Sequence, residues 1–140
     1  QEGLLFPPEI RAEDPCVWVQ GSHVLAAVKD WRGELSGTPG IAFVRGKLER
    51  GGAIGWIVPE RCSVSPRELR WDDGEVTALH SLERPFVLLD EDGRPSHLFA
   101  AAAVEDPFSG ARQVPDGAPA VVPSASLAFN VCLPLVTRPD

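Results

Sequence analysis

The fold is predicted most clearly by residues 16–28, which read CVWVQGSHVLAAV. Two apolar runs, Cys16–Gln20 and Val24–Val28, flank Gly21-Ser22, a dipeptide typical of the tight turn between antiparallel strands. The stretch therefore predicts a β-hairpin. Helices are disfavoured along the chain because 14 prolines and 13 glycines interrupt its 140 residues, and proline ends a helix.

Similar strand and turn signals recur in the rest of the chain. Asp72-Asp73-Gly74 and Asp90-Glu91-Asp92-Gly93 are acidic turns that end in glycine. Further strand candidates are Gly40–Val44, Gly55–Val58, Glu68–Trp71, Glu75–Leu79, Phe86–Leu89, His97–Ala102 and Ser126–Leu135. Short strands joined by regular turns predict an all-β fold of antiparallel meanders, which a sandwich, a barrel or the blades of a propeller would satisfy.

The length fits one domain over residues 1–140 with a core of its own. Residues 105–125 are rich in proline, glycine and alanine, so we expect a long surface loop there. Residues 136–140 are expected to form a tail. The start, Gln1–Phe6, has no signal-peptide pattern, which leaves a secreted, periplasmic or cytoplasmic location in a bacterium open.

Composition argues against several kinds of partner. The net charge is −7, whereas nucleic-acid binding depends on lysine and arginine contacts to phosphate. No apolar run approaches the roughly 18 residues of a membrane helix. The three cysteines have no metal-ligand spacing, and no cofactor motif is visible, so neither metal nor cofactor is predicted. Cys16 and Cys132 lie in apolar runs and are expected in the core.

Two acid-x-Pro segments, Glu13-Asp14-Pro15 and Glu83-Arg84-Pro85, open two of the predicted strand pairs and lie 70 residues apart. A residue before proline is held extended, so a carboxylate there can project from the start of a strand. In a propeller, such starts line the central channel. Alternatively, Asp14 only accepts backbone hydrogen bonds in a turn, and Glu83 and Arg84 form an ordinary surface pair.

Three further positions could contribute to a site. Lys29-Asp30-Trp31 ends the hairpin that Asp14 opens. Its charged pair could equally be a solvated strand end, and Trp31 could stack on a sugar or cap a core. His97 begins a strand opposite Glu83-Arg84-Pro85 and is the one histidine expected near a site, whereas Trp18 alternates with valines and is expected in the core.

Five segments, taken in order, resemble bacterial five-bladed β-propeller glycoside hydrolases of the arabinanase/xylosidase, invertase-like and neoagarobiose hydrolase-like group. They are residues 12–18, 26–31, 69–74, 82–85 and 92–102. The likeness covers roughly residues 12–37 and 67–102, with a weaker echo at Ser126–Leu135.

The resemblance implies hydrolysis of O-glycosidic bonds in a plant or algal oligosaccharide or polysaccharide, at a site of three acidic residues. Asp14 matches the aspartate that tunes the site, and Glu83 matches the general acid. Lys29, Asp30, Trp31, Arg84 and His97 are the corresponding substrate-binding candidates. Such chemistry needs two carboxyl groups that flank the scissile bond.

Two departures from the family qualify this expectation. The family's base lies upstream of the Glu-Asp-Pro segment, and only 13 residues precede Asp14 here. Between Gly40 and Val64 the usual Ser-x-Asp-Gly-x-x-Trp turn is not kept. We therefore expect about three blades, completed either by self-association or by a missing propeller segment. The alternatives are a non-catalytic carbohydrate-binding module and a structural β-domain.

Overall fold

The computed structural model describes Phe6 and residues 12–58, 62–104 and 128–135. These residues form β-strands and turns and contain no helix, which confirms the all-β prediction. The strands are β1 (Glu13–Gln20), β2 (His23–Asp30), β3 (Gly40–Leu48), β4 (Ile54–Ile57), β5 (Ser63–Pro66), β6 (Glu68–Arg70), β7 (Val76–Ala78), β8 (Ser81–Leu89), β9 (Pro95–Ala103) and β10 (Ala128–Pro134).

The first sheet is an antiparallel meander in the order β1-β2-β3-β4, and β5 also pairs with β3. Strand β4 pairs with the end of β3 at Arg45–Leu48, and β5 pairs with its beginning at Gly40–Ala42. Both therefore lie along the edge of β3 that β2 leaves free. The first meander, β1–β5, is thus four strands wide, with β4 and β5 in line as one interrupted edge.

The second meander has the strand order β10-β9-β8 and is also antiparallel. Between the two meanders the chain forms a small separate hairpin of β6 and β7. Every described sheet thus joins neighbouring strands by antiparallel pairing.

The main core lies where the two meanders pack together. Trp18, Ala27 and Ile41 of the first meander join Leu82 and Leu98 of the second in one buried cluster. The opposite face of the first meander is covered by a smaller cluster, which contains Phe6, Ala26, Val28, Ala42, Val44 and Cys62. Strand β2 is consequently buried on both faces, and the charged residues at its end, Lys29 and Asp30, are buried with it.

Several predictions can be compared with this fold. The hairpin at Gly21-Ser22, the strand pairs at the two acidic turns and the buried Trp18 are confirmed. The buried position of Cys132 was wrong: Cys132 is paired with Phe99 on the exposed face of the second meander, and its neighbour Val131 faces the core. The predicted loop at 105–125 and tail at 136–140 lie outside the described residues.

Within the described ranges, no helix is long and apolar enough to cross a bilayer.

Candidate functional site

Each Glu-x-Pro segment forms a β-bulge of the same construction. In the first meander Glu13 pairs with Lys29 and the ladder resumes at Cys16 with Ala27. In the second, Glu83 pairs with Ala101 and the ladder resumes at Phe86 with Phe99. Both registers shift by one residue, because a bulge places one extra residue on one strand.

The middle residue of each bulge has a left-handed backbone. The φ angle is 49° at Asp14 and 52° at Arg84. The following prolines, Pro15 and Pro85, have no N–H to offer a ladder, so they fit a position where regular pairing stops. The two segments are therefore equivalent in backbone geometry as well as in sequence.

The bulges bring two glutamates to one lysine. The Lys29 Nζ lies 3.1 Å from Glu13 Oε2 and 3.0 Å from Glu83 Oε1. We refer to Glu13, Lys29 and Glu83 as the bulge cluster. Glu13 and Lys29 belong to the first meander and Glu83 to the second, so the bulge cluster joins the two sheets.

Burial in the bulge cluster is graded from the lysine outward. The side chain of Lys29 is 9% exposed, that of Glu83 32% and that of Glu13 62%. Burial acts to lower the pKa of Lys29, but the hydrogen bonds to and the charges of Glu83 and Glu13 outweigh it and raise the pKa above its ordinary value. Lys29 is thus a charged ammonium, held between carboxylates that solvent can still reach.

Trp31 lies beside the bulge cluster and is 42% exposed. The Lys29 Nζ is 4.3 Å from the centre of its ring, and the Arg67 guanidinium carbon is 4.6 Å from it. Arg67 also donates from Nη2 to the Trp31 carbonyl oxygen at 2.8 Å. Two cations therefore contact an indole that remains open to solvent, an arrangement that cation–π attraction favours.

Asp30 holds the loop that carries Trp31. Its Oδ2 accepts hydrogen bonds from the backbone N–H of Leu35 at 3.1 Å and of Ser36 at 2.9 Å, and from the Ser36 hydroxyl at 2.9 Å. The Asp30 side chain is fully buried at the end of β2. A buried carboxylate needs such donors, so the loop after Trp31 is folded around this one oxygen.

Gly33 allows that loop to close tightly. It has φ of 74°, and a Cβ atom at this position would lie 2.7 Å from the Thr38 carbonyl carbon. The Gly37 N–H donates to the Gly33 carbonyl oxygen at 2.9 Å, which closes the turn. A larger residue than glycine at position 33 would displace the backbone that positions Trp31.

The site residues predicted from the sequence divide into two groups. Glu83, Lys29 and Trp31 come together. Asp14 is exposed on the left-handed position of its bulge, and no ion pair joins it to Lys29. Arg84 is exposed at the equivalent position of the other bulge.

His97 lies away from the bulge cluster. It pairs with Leu88 and Pro134, whereas Glu83 pairs with Ala101, four residues further along β9. At about 3.3 Å per residue, four positions on a strand separate two backbones by about 13 Å. Ser96 Oγ lies 3.1 Å from His97 Nδ1, within hydrogen-bonding distance.

Two members of the site were not predicted from the sequence. Glu13 occupies the place expected of Asp14, and the signal for it was present, because Glu13 and Glu83 are the residues that the two Glu-x-Pro segments share. Arg67 precedes a three-residue strand in a polar stretch, and no local pattern distinguishes it.

Within residues 12–58, 62–104 and 128–135, no group of three or more histidine, cysteine, aspartate or glutamate side chains is placed to hold a metal ion. No protein-family model matches the chain, and searches of curated proteins and of solved structures find no match either.

Proposed function

We propose that this chain is a glycoside hydrolase-like β-propeller domain that acts on O-glycosidic bonds of a plant or algal saccharide, and that the bulge cluster and Trp31 form its saccharide site. One observation carries the proposal: glutamates from equivalent bulges of two separate meanders meet at one ammonium group.

The arrangement of the meanders supports the propeller. A blade is an antiparallel meander of about four strands, and the first meander has that width. Both meanders begin with the strand that carries the Glu-x-Pro bulge, and they pack together through a shared core. If β1 and β8 are the innermost strands of two blades, their first residues converge at the propeller axis.

The chemistry assigns different roles to the two glutamates. Glu83, which the resemblance matches to the general acid, would donate a proton to the glycosidic oxygen from its protonated form, in which Oε1 still accepts from Lys29 and the second oxygen carries the proton. Glu13 stands where the resemblance places the tuning aspartate, and it would also take over the part of the base that the family carries on an earlier blade, by accepting a proton from water or attacking the sugar. The two contacting oxygens lie 3.1 and 3.0 Å from the same Lys29 Nζ, so the two carboxyl groups are near neighbours, as a pair that acts on one bond must be. Lys29 would hold the pair in place.

A second candidate is a non-catalytic saccharide-binding module, which the exposure of Trp31 favours. An indole open to solvent beside charged groups can stack on the C–H face of a sugar while carboxylates accept hydrogen bonds from its hydroxyl groups. This candidate requires binding at Trp31 but no proton transfer by the glutamates.

The test is hydrolysis of a panel of aryl glycosides by the wild-type chain and by Glu83→Gln, Glu13→Gln and Glu91→Gln. Glu91 is an exposed turn residue outside the bulge cluster and serves as the matched control. We expect Glu83→Gln and Glu13→Gln each to lower the rate by about 10²-fold or more, since general acids and bases contribute about 10²–10⁴-fold. Glu91→Gln should keep the wild-type rate.

Saccharide binding by the wild-type chain and by Trp31→Ala, measured beside this panel, separates the two candidates. Saccharide binding that weakens in Trp31→Ala, without hydrolysis by the wild-type chain, would replace the hydrolase with the binding module. Equal hydrolysis rates in all four proteins would remove the bulge cluster from the chemistry. If the wild-type chain neither hydrolyses nor binds any saccharide, both candidates are wrong.

A further inference from the structure

We propose that Trp71, on the β6–β7 hairpin, is a second saccharide-binding platform, which stacks on a neutral sugar unit of a chain whose other end occupies the Trp31 site. The inference rests on the proposed saccharide function and extends it to a ligand class: oligosaccharides long enough to reach both tryptophans.

Trp71 is 49% exposed, and its ring is held in a defined orientation. Its indole Nε1 donates to Thr77 Oγ1 at 2.9 Å. Its backbone N–H donates to the Glu75 carbonyl oxygen at 2.9 Å, and its own carbonyl oxygen accepts from Gly74 N–H at 2.9 Å. The one polar atom of the side chain is therefore satisfied inside the hairpin, and the part of the ring that meets solvent is apolar.

The surroundings of Trp71 suit a hydroxylated ligand. Asp72, Asp73 and Glu75 are exposed acidic residues of the same hairpin, whereas Glu68 is paired with Arg70 at 2.7 Å. Carboxylates accept hydrogen bonds from sugar hydroxyl groups while an aromatic ring covers the C–H face. Trp31 differs, because Lys29 and Arg67 already contact its ring, whereas no cation contacts the Trp71 ring within the described part of the chain.

The position of Trp71 relates it to the first site. Arg67 immediately precedes β6 and Trp71 immediately follows it, so the two residues stand at opposite ends of this short strand. Arg67 contacts the Trp31 ring, and Trp71 lies four residues further on, about 13 Å along a strand. That distance exceeds the size of one sugar unit, so a monosaccharide cannot engage both ends of β6 whereas a short oligosaccharide can.

The experiment compares short and long ligands. Polysaccharides (xylan, arabinan and agarose) are first screened by affinity gel electrophoresis with the wild-type chain. Oligosaccharides of two and of five units from the retained polymer are then titrated by calorimetry into the wild-type chain, Trp71→Ala and Trp31→Ala. The control is Phe86→Ala, which removes an exposed aromatic ring from the second meander.

We expect Trp71→Ala to weaken binding of the five-unit ligand about tenfold, the effect of one aromatic stacking contact. The two-unit ligand should bind Trp71→Ala as it binds the wild-type chain, and Phe86→Ala should change neither affinity. Trp71→Phe keeps an aromatic face and should recover part of the loss, which separates stacking from damage to the hairpin.

The outcomes distinguish this inference from the function on which it rests. If Trp31→Ala weakens binding but Trp71→Ala binds both ligands normally, Trp71 is not a platform and the proposed function is unaffected. If Trp71→Ala weakens short and long ligands alike, the two tryptophans do not act on separate units and the inference is also wrong. If the wild-type chain binds none of the polymers, the proposed function itself fails.

Discussion

Asp14 and Arg84 hold the same backbone position in two different hairpins: each stands between a glutamate and a proline, and each has a positive φ. The preceding glutamates, Glu13 and Glu83, reach the same ammonium of Lys29. The equivalence ends at the partner strand, where Lys29 faces Glu13 but Ala101 faces Glu83. One lysine therefore serves both bulges, and this asymmetry ties the second meander to the first.

Replacing Arg84 by glycine is expected to stabilise the fold slightly. A left-handed backbone costs a residue with a side chain about 1–2 kcal/mol, and glycine removes that cost. Glycine is also more flexible in the unfolded chain, and this offsets about 0.5–1 kcal/mol of the stabilisation. Asp14→Gly should gain less, since aspartate tolerates the left-handed region better than arginine. Urea unfolding measures both. Arg94→Gly is the control, because Arg94 is an exposed arginine without a positive φ, and it should lose stability. A loss in Arg84→Gly would show that its side chain stabilises the bulge.

Lys29→Met is expected to destabilise the fold by about 1–2 kcal/mol. Removing one partner of a fully buried pair costs about 3–5 kcal/mol, and solvent at Glu83 and Glu13 reduces that cost here. A double-mutant cycle in urea with Glu83→Gln should give a coupling energy of about 0.5–2 kcal/mol. The cycle with Glu13→Gln should give a smaller value because Glu13 is more exposed. Zero coupling in both cycles would mean that the bulge cluster does not hold the sheets together.

The pH dependence of stability should report the charge of Lys29. A group whose pKa is raised by folding contributes stability that is fully present below its unfolded pKa and is lost as the pH rises through its folded pKa. Because Glu83 and Glu13 raise the pKa of Lys29, the difference in unfolding free energy between wild type and Lys29→Met should be constant at neutral pH. It should shrink above about pH 10.5, the ordinary lysine value. A difference that shrinks already between pH 7 and 9 would contradict this account.

The sequence predicted most of the strands because their turns are marked by glycine and acidic residues, as at Asp72-Asp73-Gly74. It predicted Glu83 and Lys29 at the site through the segments around them. It placed Asp14 where Glu13 stands, because a residue before proline was expected to be extended, whereas Asp14 has a left-handed backbone in the bulge and Glu13 takes the paired position opposite Lys29. Strand β5 was missed because Ser63–Pro66 is short and polar. It forms a strand through its pairing with β3, which is distant in sequence.

Asp30→Asn is expected to loosen the loop that carries Trp31 and to destabilise the fold by about 1–3 kcal/mol. One oxygen of Asp30 accepts three hydrogen bonds, and hydrogen bonds to a charged group contribute about 1.5–3 kcal/mol. Amide exchange at Leu35 and Ser36, followed by NMR, should become faster in the variant. Asp92→Asn, in an exposed turn, should leave both amides protected. Unchanged exchange at Leu35 and Ser36 would show that other contacts hold this loop.

The three cysteines should react with iodoacetamide in an order set by their environments. Cys132 is exposed and should be alkylated first, and Cys16, which is half-buried, should follow. Cys62 should react last, since it is buried and donates to the Leu35 carbonyl oxygen at 3.4 Å. Burial and the nearby Asp30 charge raise the pKa of the Cys62 thiol, so little reactive thiolate forms at neutral pH. Mass spectrometry of peptides after timed labelling measures the order.

The variant Asp30→Asn tests the cause of this order. Its loop no longer covers Cys62 as firmly, so the alkylation of Cys62 should accelerate while that of Cys132 does not change. Early modification of Cys62 in the wild-type protein would contradict the packing of Cys62 against the loop that carries Trp31.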